Sequence, residues 1–116
     1  MRSEELKHDW ELLLVKLSQQ FPADGDIDLD GALLLIGAQE LQMGYLRLKK
    51  DEKLNVLHIA VCTVLEPYGY YAFEKRDDDG WPHFKSLKPL PNLKAGEQAV
   101  LMKEAVVNYF KTNGYL

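Results

Sequence analysis

The sequence predicts a mainly α fold of the α+β kind. About four helices pack around a central apolar helix (about 52–66), with a β-hairpin (about 70–87) between helices three and four. Three observations predict it. Four segments carry apolar residues at helical spacing, the third of them is apolar nearly all round, and only after it does the period drop to two. With 116 residues, 47% hydrophobic and 28% charged, the chain is sized for one globular domain over 1–116 with a core of its own.

The first helix starts at Ser3, a natural N-cap, with Glu4 and Glu5 at the positive end of the helix dipole. Its apolar stripe is Leu6, Trp10, Leu13, Leu14, Leu17 and Phe21, and Pro22 ends it. The second helix runs from Asp28 or Asp30 to Lys50 along a seam of Leu34, Ala38, Leu41, Tyr45 and Leu48. Gly37 and Gly44 share one face of it, and each costs the helix about 1 kcal/mol against alanine. Close approach of a neighbouring helix is the simplest compensation, and a glycine-floored ligand groove the other.

The seam stops at Lys50, where Asp51 can cap a third helix, and Glu66 before Pro67 ends that one. Whether helices two and three are separate or one bent helix is left open by the pattern. Helix four spans Ala95 to Thr112 with the stripe Ala99, Met102, Val106 and Tyr109. Asn113-Gly114 is its left-handed stop, with Tyr115 and Leu116 folding back.

Between helices three and four, "YYAFEK" and "WPHFKSL" flank "DDDG", a hairpin signal. With Asp77 to Gly80 as the loop, Phe73 faces Phe84, Glu74 faces His83 and Arg76 faces Trp81. A tighter register would oppose Phe73 to Ser86 and Lys75 to Phe84. Pro82 lacks an N–H, so its strand has an open edge. The expectation is that Phe73 and Phe84 pack inward, the tip is exposed and Gly80 takes a positive φ.

The formal charge of −4 argues against nucleic acid, which wants a concentrated basic surface. No apolar run is long enough for a membrane span, and "MRSEELKHDW" has no secretory pattern. Cys62 is the single cysteine, so no internal disulfide forms, and a cytoplasmic location is expected.

Three constellations carry chemistry. Asp26, Asp28, Asp30 and Gly31 resemble the first half of an EF-hand calcium loop. The twelfth position, which should be a bidentate glutamate, is Gly37, and Glu40 comes three residues late. Acidic capping of helix two accounts for the same aspartates, so neither metal nor cofactor is expected. His58, Cys62 and Glu66 fall on one line of helix three. Cys62 among Val61, Thr63 and Val64 reads as an inert core thiol. His58 needs partners for its ring nitrogens, with Gln39, Glu40 and Gln42 in range. The third is the aromatic hairpin: positions 68–84 hold six of the chain's twelve aromatic residues, enough to need either a core or a partner to cover them.

Two functions follow. The leading one is a non-catalytic binding or interaction module, a homodimer or a partner for another protein, using Tyr68, Tyr70, Tyr71, Trp81 and His83 on an open-edged element. The alternative is a small enzyme or ligand-binding protein. In it His58 is a general base oriented by Glu40 or Glu66, in a polar pocket between helices two and three and the hairpin, and holds a small-molecule ligand. No phosphate loop, serine elbow, HExxH or paired CxxC is present.

Overall fold

The structure, a computed structural model, describes residues 3–20, 27–41, 50–78 and 80–114. Among them are four helices, α1 (Ser3–Gln20), α2 (Leu29–Glu40), α3 (Lys50–Leu65) and α4 (Ala95–Thr112). Strands β1 (Tyr71–Arg76) and β2 (Pro82–Ser86) form an antiparallel hairpin between α3 and α4. The fold is thus mainly α with some β, as the periodicity predicts. Tertiary contacts divide the chain into two units, one of residues 1–32 with 93–116 and the other of residues 33–92.

In the first unit α1 packs on α4. Leu6, Trp10, Leu13 and Leu17 of α1 are buried, which matches most of the expected stripe, and Phe21 lies outside the described residues. Lys111 pairs with Asp9 at 2.7 Å, and the Lys103 ammonium sits 5.6 Å from the Trp10 ring centre. On α4 the buried set is Ala105, Val106, Val107 and Phe110. Of the expected stripe only Val106 belongs to it. The run from Ala105 to Val107 is apolar without a break, so spacing alone leaves the inward face free by one residue, a turn of about 100°.

The C-terminal end of α4 follows its sequence signal, and its start is held by a side chain that the spacing does not single out. The Glu97 carboxylate accepts the backbone N–H of Lys94 at 3.3 Å, and Gly114 takes the left-handed φ of 82° just past the last turn. Tyr115 and Leu116 lie outside the described residues.

The second unit carries the hairpin. Its buried side chains are Leu33, Ile36, Val56, Ile59, Ala60, Cys62, Val64, Leu65 and, on β2, Pro82. The seam expected on α2 is displaced: Leu34, Ala38 and Leu41 are half-buried, while Leu33, Ile36 and Gly37 are sealed. Gly37 explains the displacement. A Cβ there would run into Val56 Cγ1 and stand 2.6 Å from the Val56 carbonyl oxygen, so α2 and α3 touch through the missing side chain. Close helix approach is therefore the use of Gly37. Gly44 and the junction of the two helices fall outside the described residues.

Along α3 burial is uneven. Leu54 is 62% exposed and His58 is exposed, whereas from Ile59 onward most of the helix is covered. A 3₁₀ turn, Glu66–Tyr68, stops α3, and Gly69 at φ 83° turns the chain into β1. Both strands lie against α3.

The hairpin register departs from expectation at one place. Phe73 faces Phe84 as predicted, but Lys75 then faces His83 and Arg76 faces Pro82, so Glu74 is an extra residue in β1. The expected Glu74–His83 and Arg76–Trp81 pairs do not form. A bulge bends the strand and increases its twist, which re-aims every side chain beyond it.

Candidate functional site

The site is built from the hairpin downward. Asp77 organises the tip: its backbone N–H donates to Trp81 O at 2.9 Å, and its carbonyl accepts the Gly80 N–H at 2.9 Å. Its Oδ1 accepts the Trp81 N–H at 2.9 Å, and its Oδ2 meets His83 Nε2 at 2.9 Å. Asp77, Asp78 and Gly80 are exposed, and Gly80 has φ 87°, as the turn chemistry predicts. Here the tip is a side-chain-braced turn.

Beyond the bulge, the Arg76 guanidinium donates to Gly80 O at 3.0 Å and to Glu40 O at 3.2 Å. Glu40 is the last residue of α2, so the cation sits where helix carbonyls lack intrahelical partners and the dipole is negative. One side chain thus ties the hairpin tip to the end of a helix 36 residues earlier in the chain.

Under this tie lies an open cleft of about 370 Å³, lined by Glu40, Thr63, Glu66, Phe73, Arg76, Pro82 and Phe84. The two phenylalanine rings meet edge to face, 6.0 Å between centres and 79° between planes. They are not packed inward as expected. Phe73 is 48% exposed and Phe84 is half-buried. A two-stranded sheet resting on one helix has room for one covered face, so rings at its margin stay partly in water. Thr63 Oγ1 donates a hydrogen bond to Ile59 O at 2.8 Å, so it offers the cleft only acceptor capacity.

Of the sequence-predicted residues, Glu40 and Glu66 line the cleft together. His58 does not line it. Its ring stands exposed on α3 with Nε2 3.6 Å from Cys62 Sγ. Burial pushes the Cys62 thiol up to about 11, partly opposed by a backbone hydrogen bond, so a thiolate nucleophile is suppressed at neutral pH. A base at His58 serving that cleft is not what the geometry assembles.

Tyr68 is half-buried in the 3₁₀ turn, and Tyr70 lies half-buried beneath the Lys88 ammonium, 4.7 Å from its ring centre. Trp81 is half-buried and His83 exposed, both held by Asp77. Asp28 Oδ1 accepts the Gly31 N–H at 2.8 Å, which makes it the cap of α2, and Asp30 is exposed in its first turn. Asp26 lies outside the described residues. No three His, Cys, Asp or Glu side chains gather into a metal-sized group among the described residues.

Sequence reasoning missed Arg76 as a tie, Thr63, and the Phe73–Phe84 pair as a cleft wall. Nothing in spacing signals a contact from Arg76 to Glu40. Alternation pairs Phe73 with Phe84 but carries no sign of how much of each ring stays in water.

No family model matches this chain, and neither the curated proteins nor the solved structures give a match to it. Function has to be read from the site itself. Among the described residues no helix is long and apolar enough to cross a membrane.

Proposed function

We propose that this chain is a non-catalytic binding module whose contact surface is the aromatic hairpin together with the cleft at its base. The observation that carries it is the Phe73–Phe84 pair, left half in water at the mouth of a cleft of mixed polar and apolar lining. A hairpin that served only to seal a core would turn both rings inward. Supporting it are Leu87 and Leu90, 53% and 46% exposed beyond β2, and a two-stranded sheet whose outer edges pair with no third strand among the described residues. The hairpin region also carries Tyr70, Trp81 and His83, rings suited to contacts at an interface. A second copy of the chain is one occupant such a surface admits. The lone reduced cysteine fits a cytoplasmic setting.

The test is a fragment screen followed by two-dimensional NMR on the whole chain, with sedimentation run alongside. Binders are expected to shift amides between Thr63 and Phe84, and any self-association is expected to weaken in Phe73→Ala. Hits that cluster elsewhere, with a monomer at every concentration, would overturn the proposal.

A further inference from the structure

We infer, on the strength of the binding reading above, that the outer edge of β2 takes a short acidic strand of another polypeptide. The Leu87 N–H donates to Tyr70 O at 2.9 Å, which puts these two at a hydrogen-bonded position of the ladder. Antiparallel positions alternate, so Tyr71 with Ser86 and Phe73 with Phe84 are non-hydrogen-bonded pairs. In such pairs each residue's N–H and C=O point away from the partner strand. Phe84 and Ser86 therefore aim their backbone groups outward from β2, where no third strand lies among the described residues. Tyr71 and Phe73 do the same on β1, but the bulge at Glu74 breaks that edge. The β2 edge is even from Phe84 to Ser86, and it is short, lying between Pro82, which has no N–H, and Pro89.

Charge selects the occupant. Side chains alternate along β2: Pro82 and Phe84 line the cleft, while His83, Lys85 and Leu87 stand exposed on the other face. His83 already meets Asp77. Lys85 faces the neutral Ala72, and neither it nor Lys88 has an ion pair among the described residues. Lys88 holds its ammonium over the Tyr70 ring, a contact that leaves the charge uncancelled. No Asp or Glu occurs from Trp81 to Gly96. A second copy of the chain is the wrong partner for this edge. The antiparallel register that uses all the outward groups sets Phe84 opposite Ser86, and so sets Lys85 opposite its own image. Like charges directly opposite destabilise a pair. An acidic strand meets the same lysine with a carboxylate. Two places along, its side chain lies beside Leu87, 53% exposed, where an apolar residue fits.

The experiment is an NMR titration of the full chain with acetyl-TETVTE-amide, in which glutamate stands two places from valine in either direction, and with its glutamine and lysine versions. The glutamate peptide is expected to give saturable shifts from Phe84 to Leu87 and to slow hydrogen exchange at the Phe84 and Ser86 amides. The glutamine version should bind about threefold more weakly, the size of an exposed ion pair, and the lysine version more weakly still. Lys85→Gln should reduce the preference for glutamate over glutamine, and because Lys85 is exposed the melting temperature should stay at the wild-type value. Ser86→Pro deletes an outward N–H and should raise the Kd of the glutamate peptide about fivefold. Equal binding of the three peptides would overturn the acidic partner, and binding without slowed exchange at Phe84 and Ser86 would overturn the strand pairing. Peptides that leave Phe84 to Leu87 unmoved, while fragments shift Thr63 and Phe73, would overturn the edge and leave the binding reading above standing. No shift from any peptide or fragment would overturn both.

Discussion

From Ile59 to Leu65, α3 keeps Ile59, Ala60, Cys62, Val64 and Leu65 out of water, whereas the hairpin that follows leaves Phe73 48% exposed and Leu87 53% exposed. Both stretches are apolar enough to be core. The difference lies in how many surfaces each can meet. A helix approached on one side at Gly37 and covered on another by both strands is enclosed, while a two-stranded ribbon has one face to spend on its support. Apolar composition therefore measures appetite for burial, and topology decides whether it is met. At the hairpin the unmet part is left as exposed apolar surface.

The comparison breaks first at Gly37. Gly37→Ala puts a methyl into the Val56 backbone, and the expected loss is about 3 kcal/mol despite alanine's better helix propensity. A denaturant midpoint unchanged from wild type would mean the two helices are not in that contact.

Cys62 sharpens it next. Its folded pKa of about 11 lies above the ordinary 9.0, so the unfolded state loses its proton first as pH rises. This contribution is intact below pH 9 and declines toward pH 11, by roughly 2–3 kcal/mol at most. Stability curves of wild type and Cys62→Ala should therefore converge with rising pH across that window; parallel curves would mean the thiol is solvated.

On the hairpin, effects should be smaller. Asp77→Ala removes the acceptors for the Trp81 N–H and the His83 ring, for an expected loss of about 1 kcal/mol by thermal unfolding. Asp78→Asn, one residue on and exposed, should change stability by less than about 0.5 kcal/mol. If the two rank in reverse order, the turn is braced by the wrong aspartate.

Much of this architecture was legible beforehand, because it rests on local signals. Pro67 and Asn113-Gly114 stopped helices near where they stop, and the Gly80 N–H closes onto Asp77 O where a turn was due, with Asp79 outside the described residues. Helix faces were harder. In runs such as Leu33 to Ile36 or Ala105 to Val107 every residue is apolar, so periodicity has no contrast to read. The bulge at Glu74 has no signature of its own, and it moved His83 from Glu74 to Asp77. The candidate site was half legible: Glu40 and Glu66 were named, but as partners of a histidine that stands outside the cleft. Their meeting with Phe73, Phe84 and Arg76 is a product of the tertiary fold, which spacing does not encode.

The most direct test of the central claim, that the aromatic hairpin is surface and not seal, is the unfolding free energy of Phe73→Ala. A ring left half in water should cost about 1 kcal/mol, well short of the 3–5 kcal/mol of a phenylalanine removed from a closed core. A loss of about 1 kcal/mol with the fold intact is the result expected. A loss above about 3 kcal/mol would contradict the account, because Phe73 would then belong to the core.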